Sequence, residues 1–215
     1  MNKSVIQKSR FLSSFRAGIF PVPEFYELKT EVVRKSIHFL IALSPTMAAV
    51  SRPFTVLFLI IGTLGYTYME TLRLLGIKVP IISSLTSMAS RSRDMGHFVI
   101  GPVTLGLGAL LALLLYPAPA ASIAIYALAF GDGFAGLVGK FFGRLRPAFL
   151  RGKSIEGSLA CFTVVFIAAW QVSGSFRISL IAALTAMSVE ALPLEDYDNL
   201  ALPVTVGLAV QLLSV

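Results

Sequence analysis

Residues 120–144 read AASIAIYALAFGDGFAGLVGKFFGR. Ahead of Lys140 the run carries one charge, Asp132, and has no polar face on which a soluble helix could meet water. Its length, about 20 residues, is what an α-helix needs to cross a hydrocarbon core of about 30 Å. The run therefore predicts lipid as the solvent. Asp132 lies about two turns inside, where a carboxylate costs at least about 2.5 kcal/mol unless it is paired or metal-bound. Gly131, Gly133, Gly136, Gly139 and Gly143 surround it, permitting close backbone approach or a broken helix. A glycine packing seam accounts for those residues and leaves the acid unexplained.

The rest of the chain extends this reading. Of its 215 residues 56% are hydrophobic and 13% charged, both far from soluble-domain values. Apolar runs at about Ser36–Val50, Phe54–Leu72, Phe98–Tyr116, Ala120–Gly139, Ile155–Val172, Ile178–Ala191 and Leu200–Val215 predict an all-α polytopic membrane protein of about seven transmembrane helices. Pro45, Pro102 and Pro203 are expected to kink spans, which packed membrane helices tolerate. With the N-terminus cytoplasmic and the C-terminus external, Arg52 and Arg177 are the external members of the 18 basic residues. All 11 acidic residues fall on the cytoplasmic side too, and no general rule demands that. A scaffold has no use for the asymmetry; a site for a cytosolic polyanion does.

Residues 1–22 mix Lys3, Lys8, Arg10 and Arg16 with apolar side chains. They lack a signal-peptide h-region and suit a basic amphipathic segment on an anionic lipid surface, ahead of a catalytic domain at 23–215. No basic stripe on a polar domain exists to bind nucleic acid. The single cysteine, Cys161, rules out an intramolecular disulfide.

Further chemistry gathers at the predicted cytoplasmic ends. Gly152-Lys153-Ser154 looks like the end of a P-loop, but Pro147 stands where that motif needs glycine, and no strand precedes it. What remains is a loop holding Lys140, Arg144, Arg146, Arg151 and Lys153, with Ser154 as N-cap of the fifth span and Glu156 beside it. Free N–H groups and cations converging there suit phosphate. Glu27, Glu31, Arg34 or Lys35, and His38 fall on one helical face, and an imidazole about one turn into lipid needs a partner. Glu190, Asp198 and Asn199 flank an acidic bend whose oxygens suit a hard cation such as Mg²⁺.

In this order the pieces resemble the CTP-dependent polyprenol and lipid kinases, a family that includes dolichol kinase, phytol kinase and the yeast-type diacylglycerol kinase. The likeness rests on Arg34-Lys35 with His38, Gly131-Asp132 with Gly139, Gly143 and Arg144, Lys153-Ser154 with Glu156-Gly157, and Glu190 with Asp198-Asn199 and Pro203. It runs from about Glu27 onward. Phosphatidate cytidylyltransferases share the Gly-Asp and Lys-Ser/Thr-x-Glu-Gly elements, but their Pro-Gly-His-Gly-Gly stretch has no counterpart near Asp198.

The resemblance implies transfer of the γ-phosphoryl of CTP to a lipid alcohol at the cytoplasmic face. It implies Asp132, Asp198, Asn199 and Glu190 toward Mg²⁺. Arg34, Lys35, Lys140, Arg144, Lys153, Ser154, Gly131 and Gly139 are implied toward nucleotide phosphates. His38 or Glu156 would take the hydroxyl proton. A cytidylyltransferase and a small transporter are the other readings of the same residues. The acceptor, the oligomeric state and the host membrane (cytoplasmic membrane in a bacterium or archaeon, an organelle otherwise) stay open.

Overall fold

The computed structural model describes residues 22–77 and 96–214. Seven α-helices of seven residues or more lie within them, and no strand occurs among the described residues. They are α1 (Val22–Ile41), α2 (Ser44–Leu74), α3 (Gly101–Leu115), α4 (Ala120–Phe141), α5 (Ile155–Ser173), α6 (Phe176–Glu190) and α7 (Asp198–Ser214). The expected interfacial segment, apart from Val22, lies outside the described residues, as do Lys78, Arg91, Arg93 and Asp94.

Among the described residues three helices, α2, α4 and α5, are long and apolar enough to cross a membrane; α3 is apolar but has 15 residues. The first apolar run departs from expectation. Ser36–Val50 is not one helix: α1 ends at Ile41, and α2 begins at Ser44 with Pro45 in its first turn. Proline lacks an N–H and its ring clashes with the carbonyl four residues back, so it opens a helix more readily than it continues one. Pro102 does the same for α3. Neither residue kinks a span. The kink that does occur is at Ser51 in α2 (φ −154°, ψ 100°), two residues before Pro53.

Helix α4 is the axis of the bundle and touches all six of the others. In its most apolar window 61% of the residues are buried, against 11% in α2. The contrast follows from side-chain size. Ala121, Ala124 and Ala127 on α4 meet Ala109 and Ala112 of α3, Ala182 and Ala186 of α6, and Val206 and Val210 of α7 in one core. Without a hydrophobic drive between helices in lipid, such small residues allow close van der Waals packing. By contrast α2 presents Phe54, Leu57, Phe58, Ile61 and Leu64 outward.

The helices alternate so that polar groups collect at one end. There, Asn199 at the start of α7 donates through Nδ2 to the Gly101 carbonyl (3.3 Å) and to Thr104 Oγ1 (2.9 Å). Buried Glu70 near the end of α2 accepts from the Val99 amide (2.9 Å) and pairs with Arg73 (2.8 Å). At the other end Arg52 donates to the Leu113 carbonyl, capping α3.

The α3–α7 crossing supplies a stability test. A Cβ added at Gly108 would lie 2.0 Å from the Asn199 carbonyl oxygen, so Gly108→Ala must push two backbones apart. Thermal unfolding in detergent should show a loss of about 1–3 kcal/mol. Gly62→Ala, with nothing within 4 Å of the new methyl, should be stable or slightly better.

Candidate functional site

Asp132 ends a π-helical turn, Ala127–Asp132, set inside α4. A π turn holds an extra residue and rotates everything after it; such turns are frequent at functional sites. Lys35 and His38, one turn apart on α1, reach the same acid. Lys35 Nζ donates to Asp132 Oδ2 at 2.6 Å, and His38 Nδ1 stands 3.0 Å from that oxygen without the alignment of a hydrogen bond. Lys35 is 1% exposed and His38 3%. The acid that the sequence left needing a partner is therefore paired across helices. Gly136 makes room: a Cβ there would lie 2.5 Å from Lys35 Cε.

Above this pair opens a cavity of about 430 Å³. Four pieces of chain wall it: the Glu31–Lys35 face of α1, the second half of α4, the loop from residue 142 to 154, and the bend from Glu190 to Asp198. Six cations line it: Arg34, Lys35, Lys140, Arg146, Arg151 and Lys153. Five carboxylates face them: Glu31, Asp132, Glu190, Glu195 and Asp198.

The 142–154 loop is shaped by its own hydrogen bonds. Arg146 donates to the carbonyls of Gly139 (2.6 Å) and Gly152. The Glu156 carboxylate accepts from the amides of Arg144 (2.9 Å) and Leu145 (3.1 Å). Ser154 caps α5 as expected, its Oγ accepting from the Gly157 amide at 3.1 Å. The Ile155 amide is taken by the Leu145 carbonyl. These amides are therefore spent within the chain. Side-chain cations, rather than the free N–H groups expected there, are what the loop offers an anion.

On the opposite wall Lys153 donates to the Glu190 carbonyl and lies 3.3 Å from Glu190 Oε1 and 4.0 Å from Asp198 Oδ2. Ser158 Oγ holds Glu190 Oε2 at 3.1 Å. Asp198 precedes the last apolar run; burial, then the Asp132 charge, pushes its carboxyl up to about 7. Arg34 bridges Glu31 (2.6 Å) and Asp196 (3.7 Å) at the rim.

Most of the residues picked from the sequence meet here, with five exceptions. Arg144 contributes its backbone to the loop and does not line the cavity. Glu156 is the clasp of that loop and also lies off the cavity. Asn199 turns its side chain to α3. Gly131 faces Val165 and Cys161 on α5. His38 touches the site only through Asp132. In the other direction, Arg146 and Arg151, expected only as members of a cationic loop, line the cavity, as does Glu195, to which the sequence assigned no role. Arg151 (φ 46°) and Glu195 (φ 56°) are the non-glycine residues of positive φ among the described residues. Such backbone clusters at functional sites, and a sequence does not display it.

Among the described residues no group of three or more His, Cys, Asp or Glu side chains is arranged as a metal cage. The available oxygens are Asp198 and Glu190, both also near Lys153, whereas Asp132 already holds an ammonium.

Comparison with known proteins gave one informative likeness. The chain is 30% identical over 152 residues to a protein of Glycine max described as "Probable phytol kinase 3, chloroplastic". The match covers 62% of this chain and 48% of that protein, so the chain spans about half the length of the curated relative it matches. No family model matches, and neither does any solved structure.

The buried pair yields a direct test. Lys35→Ala leaves Asp132 as an unpaired charge and should cost about 3–5 kcal/mol in thermal unfolding. Replacing both partners, Lys35→Met with Asp132→Leu, should recover most of that loss while removing function. For the same reason Asp132→Ala, by orphaning Lys35, is a poorer probe of chemistry than Asp132→Asn.

Proposed function

We propose that this chain is a membrane-embedded kinase that moves the γ-phosphoryl group of CTP to a lipid alcohol at the cytoplasmic face of the bilayer. The observation that carries the reading is the cavity: six cations and five carboxylates wall one space at the polar end of an apolar bundle. A nearly balanced set of opposite charges suits a polyphosphate that arrives with a divalent cation. The likeness to a probable phytol kinase supports a lipid kinase of the same general kind. CTP as donor rests on the resemblance of the Gly131-Asp132 and Lys153-Ser154-x-Glu156-Gly157 elements to CTP-using families. The proposed topology, N-terminus inside, is supported by the gathering of charge at one end.

Mg²⁺ fits the donor set present. It keeps several waters and takes one or two carboxylates plus substrate phosphates, so a cage built wholly of protein is not required. Asp198 and Glu190 would hold it, and the ion would neutralise charge on the phosphate oxygens. Asp132, by contrast, orients Lys35 and His38.

Phosphoryl transfer asks for positioning and charge stabilisation. Lys153, Arg146 and Arg151 stand where phosphate oxygens would enter. The acceptor oxygen forms the new bond to the γ-phosphorus as the bond from that phosphorus to the β,γ-bridging oxygen breaks. The products are a lipid monophosphate and CDP. Of the two candidate bases, Glu156 is committed to backbone amides, which leaves His38, beside Asp132, to accept the hydroxyl proton.

Nanodiscs holding lipid alcohols and phosphatidate, incubated with γ-labelled or α-labelled CTP, test this. Label from the γ position on an alcohol is expected. Label from the α position on phosphatidate, with pyrophosphate released, would replace the kinase by a cytidylyltransferase. Lys153→Ala should lower kcat by about 10²–10³, the usual effect of losing one group that stabilises transition-state charge. A loss under tenfold would remove Lys153 from the phosphate site.

A further inference from the structure

Lys35 and Lys153 both line the cavity, and they are held differently. Lys35 Nζ is 2.6 Å from Asp132 Oδ2, a closed ion pair. Lys153 donates to the neutral carbonyl of Glu190, while its ammonium stays 3.3 Å from the Glu190 carboxylate and 4.0 Å from that of Asp198. Charge-assisted hydrogen bonds between an ammonium and a carboxylate ordinarily close to about 2.7–2.9 Å. The Glu190 carboxylate is therefore kept from closing on Lys153.

A hydroxyl on α5 restrains it. Ser158, one turn after the Ser154 cap and 8% exposed, donates to Glu190 Oε2 at 3.1 Å. A serine or threonine inside a helix can instead donate to the carbonyl four residues back. Thr163 and Ser173 of the same helix do so at 2.9 and 2.7 Å. Ser158 stands 3.3 Å from the corresponding carbonyl, that of Ser154, so its single proton is better placed on the carboxylate. Glu190 is itself buried. With Oε2 held by Ser158, the carboxylate presents Oε1 alone to Lys153.

We infer that Ser158 is a positioning residue: through Glu190 it keeps Lys153 loosely held, free to leave the carboxylates for an incoming anion. Without the hydroxyl, Oε2 is a buried carboxylate oxygen that has lost its donor, a costly state. It then turns to the cation beside it, Lys153, which both oxygens grip. The role of Lys153 toward phosphate rests on the kinase reading. The hold of Ser158 on Glu190, and of Glu190 on Lys153, does not.

The test independent of that reading follows acetylation of Lys153 in the full chain in nanodiscs by mass spectrometry, with exposed Lys29 as internal reference. Ser158→Ala should slow Lys153 about tenfold relative to Lys29, the worth of one added charge-assisted hydrogen bond. Ser158→Thr, which keeps the hydroxyl, should match the unaltered protein. Adding Glu190→Gln to Ser158→Ala should restore the rate, which a general loosening of the helix would not do. Ser158→Cys, a weaker donor, should fall between, and it serves if the alanine variant does not fold. An unchanged or faster rate in Ser158→Ala, or no recovery with Glu190→Gln, would overturn the inference.

In the kinetic arm Ser158→Ala should lower kcat about tenfold, short of the loss of about 10²–10³ expected on removing Lys153 itself. KM for CTP should stay within about twofold, and Ser158→Thr should restore kcat. A rise in KM as large as the fall in kcat, unrelieved by Ser158→Thr, would mark a structural role and contradict positioning. Slower acetylation in Ser158→Ala, with no phosphoryl transfer by the unaltered protein, would remove the kinase and leave the Ser158–Glu190–Lys153 arrangement standing.

Discussion

A lysine and an aspartate are buried against each other between α1 and α4, and the arrangement of the site follows from that pair. Neither charge is tolerable alone in so apolar a place: each ion loses several kcal/mol of hydration, returned only by close contact with the other. At 2.6 Å the contact is close. It fixes the rotation of α1, and so points Glu31 and Arg34 at the cavity rim and brings His38 beside the same carboxylate oxygen. It also explains Gly136, since no side chain fits between the two helices where Lys35 crosses. A pair of this kind is not an efficient source of stability; its value lies in forcing one register of helix on helix.

Around it the bundle separates two jobs. Small residues bring α3, α4, α6 and α7 into close contact and make a rigid post of α4. Among the described residues, the helix ends and loops at one end then carry most of the ionisable groups. Opposite charges alternate around the cavity, so the empty space is almost neutral although the whole chain carries +7.

Much of this was readable in the sequence, and the misses share a cause. Apolar run length found the helices, and the cost of a lone carboxylate in lipid singled out Asp132. His38 stood out by the same argument, and the two proved to be neighbours. Ser154 as a cap was legible because capping is local. Pro45 and Pro102 were misread as kinks because a proline near a run's edge can begin a helix as easily as bend one, and only the neighbouring backbone decides. That Arg144, Glu156 and Asn199 stand off the cavity was not legible, because residue type and spacing do not reveal which side chain turns inward and which clasps a loop. Arg151 and Glu195 reach the cavity through left-handed backbone, which leaves no mark on the sequence when the residue is not glycine. The metal question is partly of this kind: the acids are present, but which oxygens remain after the lysines have paired is a matter of three dimensions.

The most direct test of the central claim is ³¹P NMR of the purified protein in nanodiscs with CTP, Mg²⁺ and a lipid alcohol, followed in time. A lipid phosphomonoester resonance growing in step with CDP, both absent for the Lys153→Ala protein, is the predicted result. Pyrophosphate growing in step with a lipid-linked phosphodiester, or a spectrum that does not change for protein shown to be folded, would contradict it.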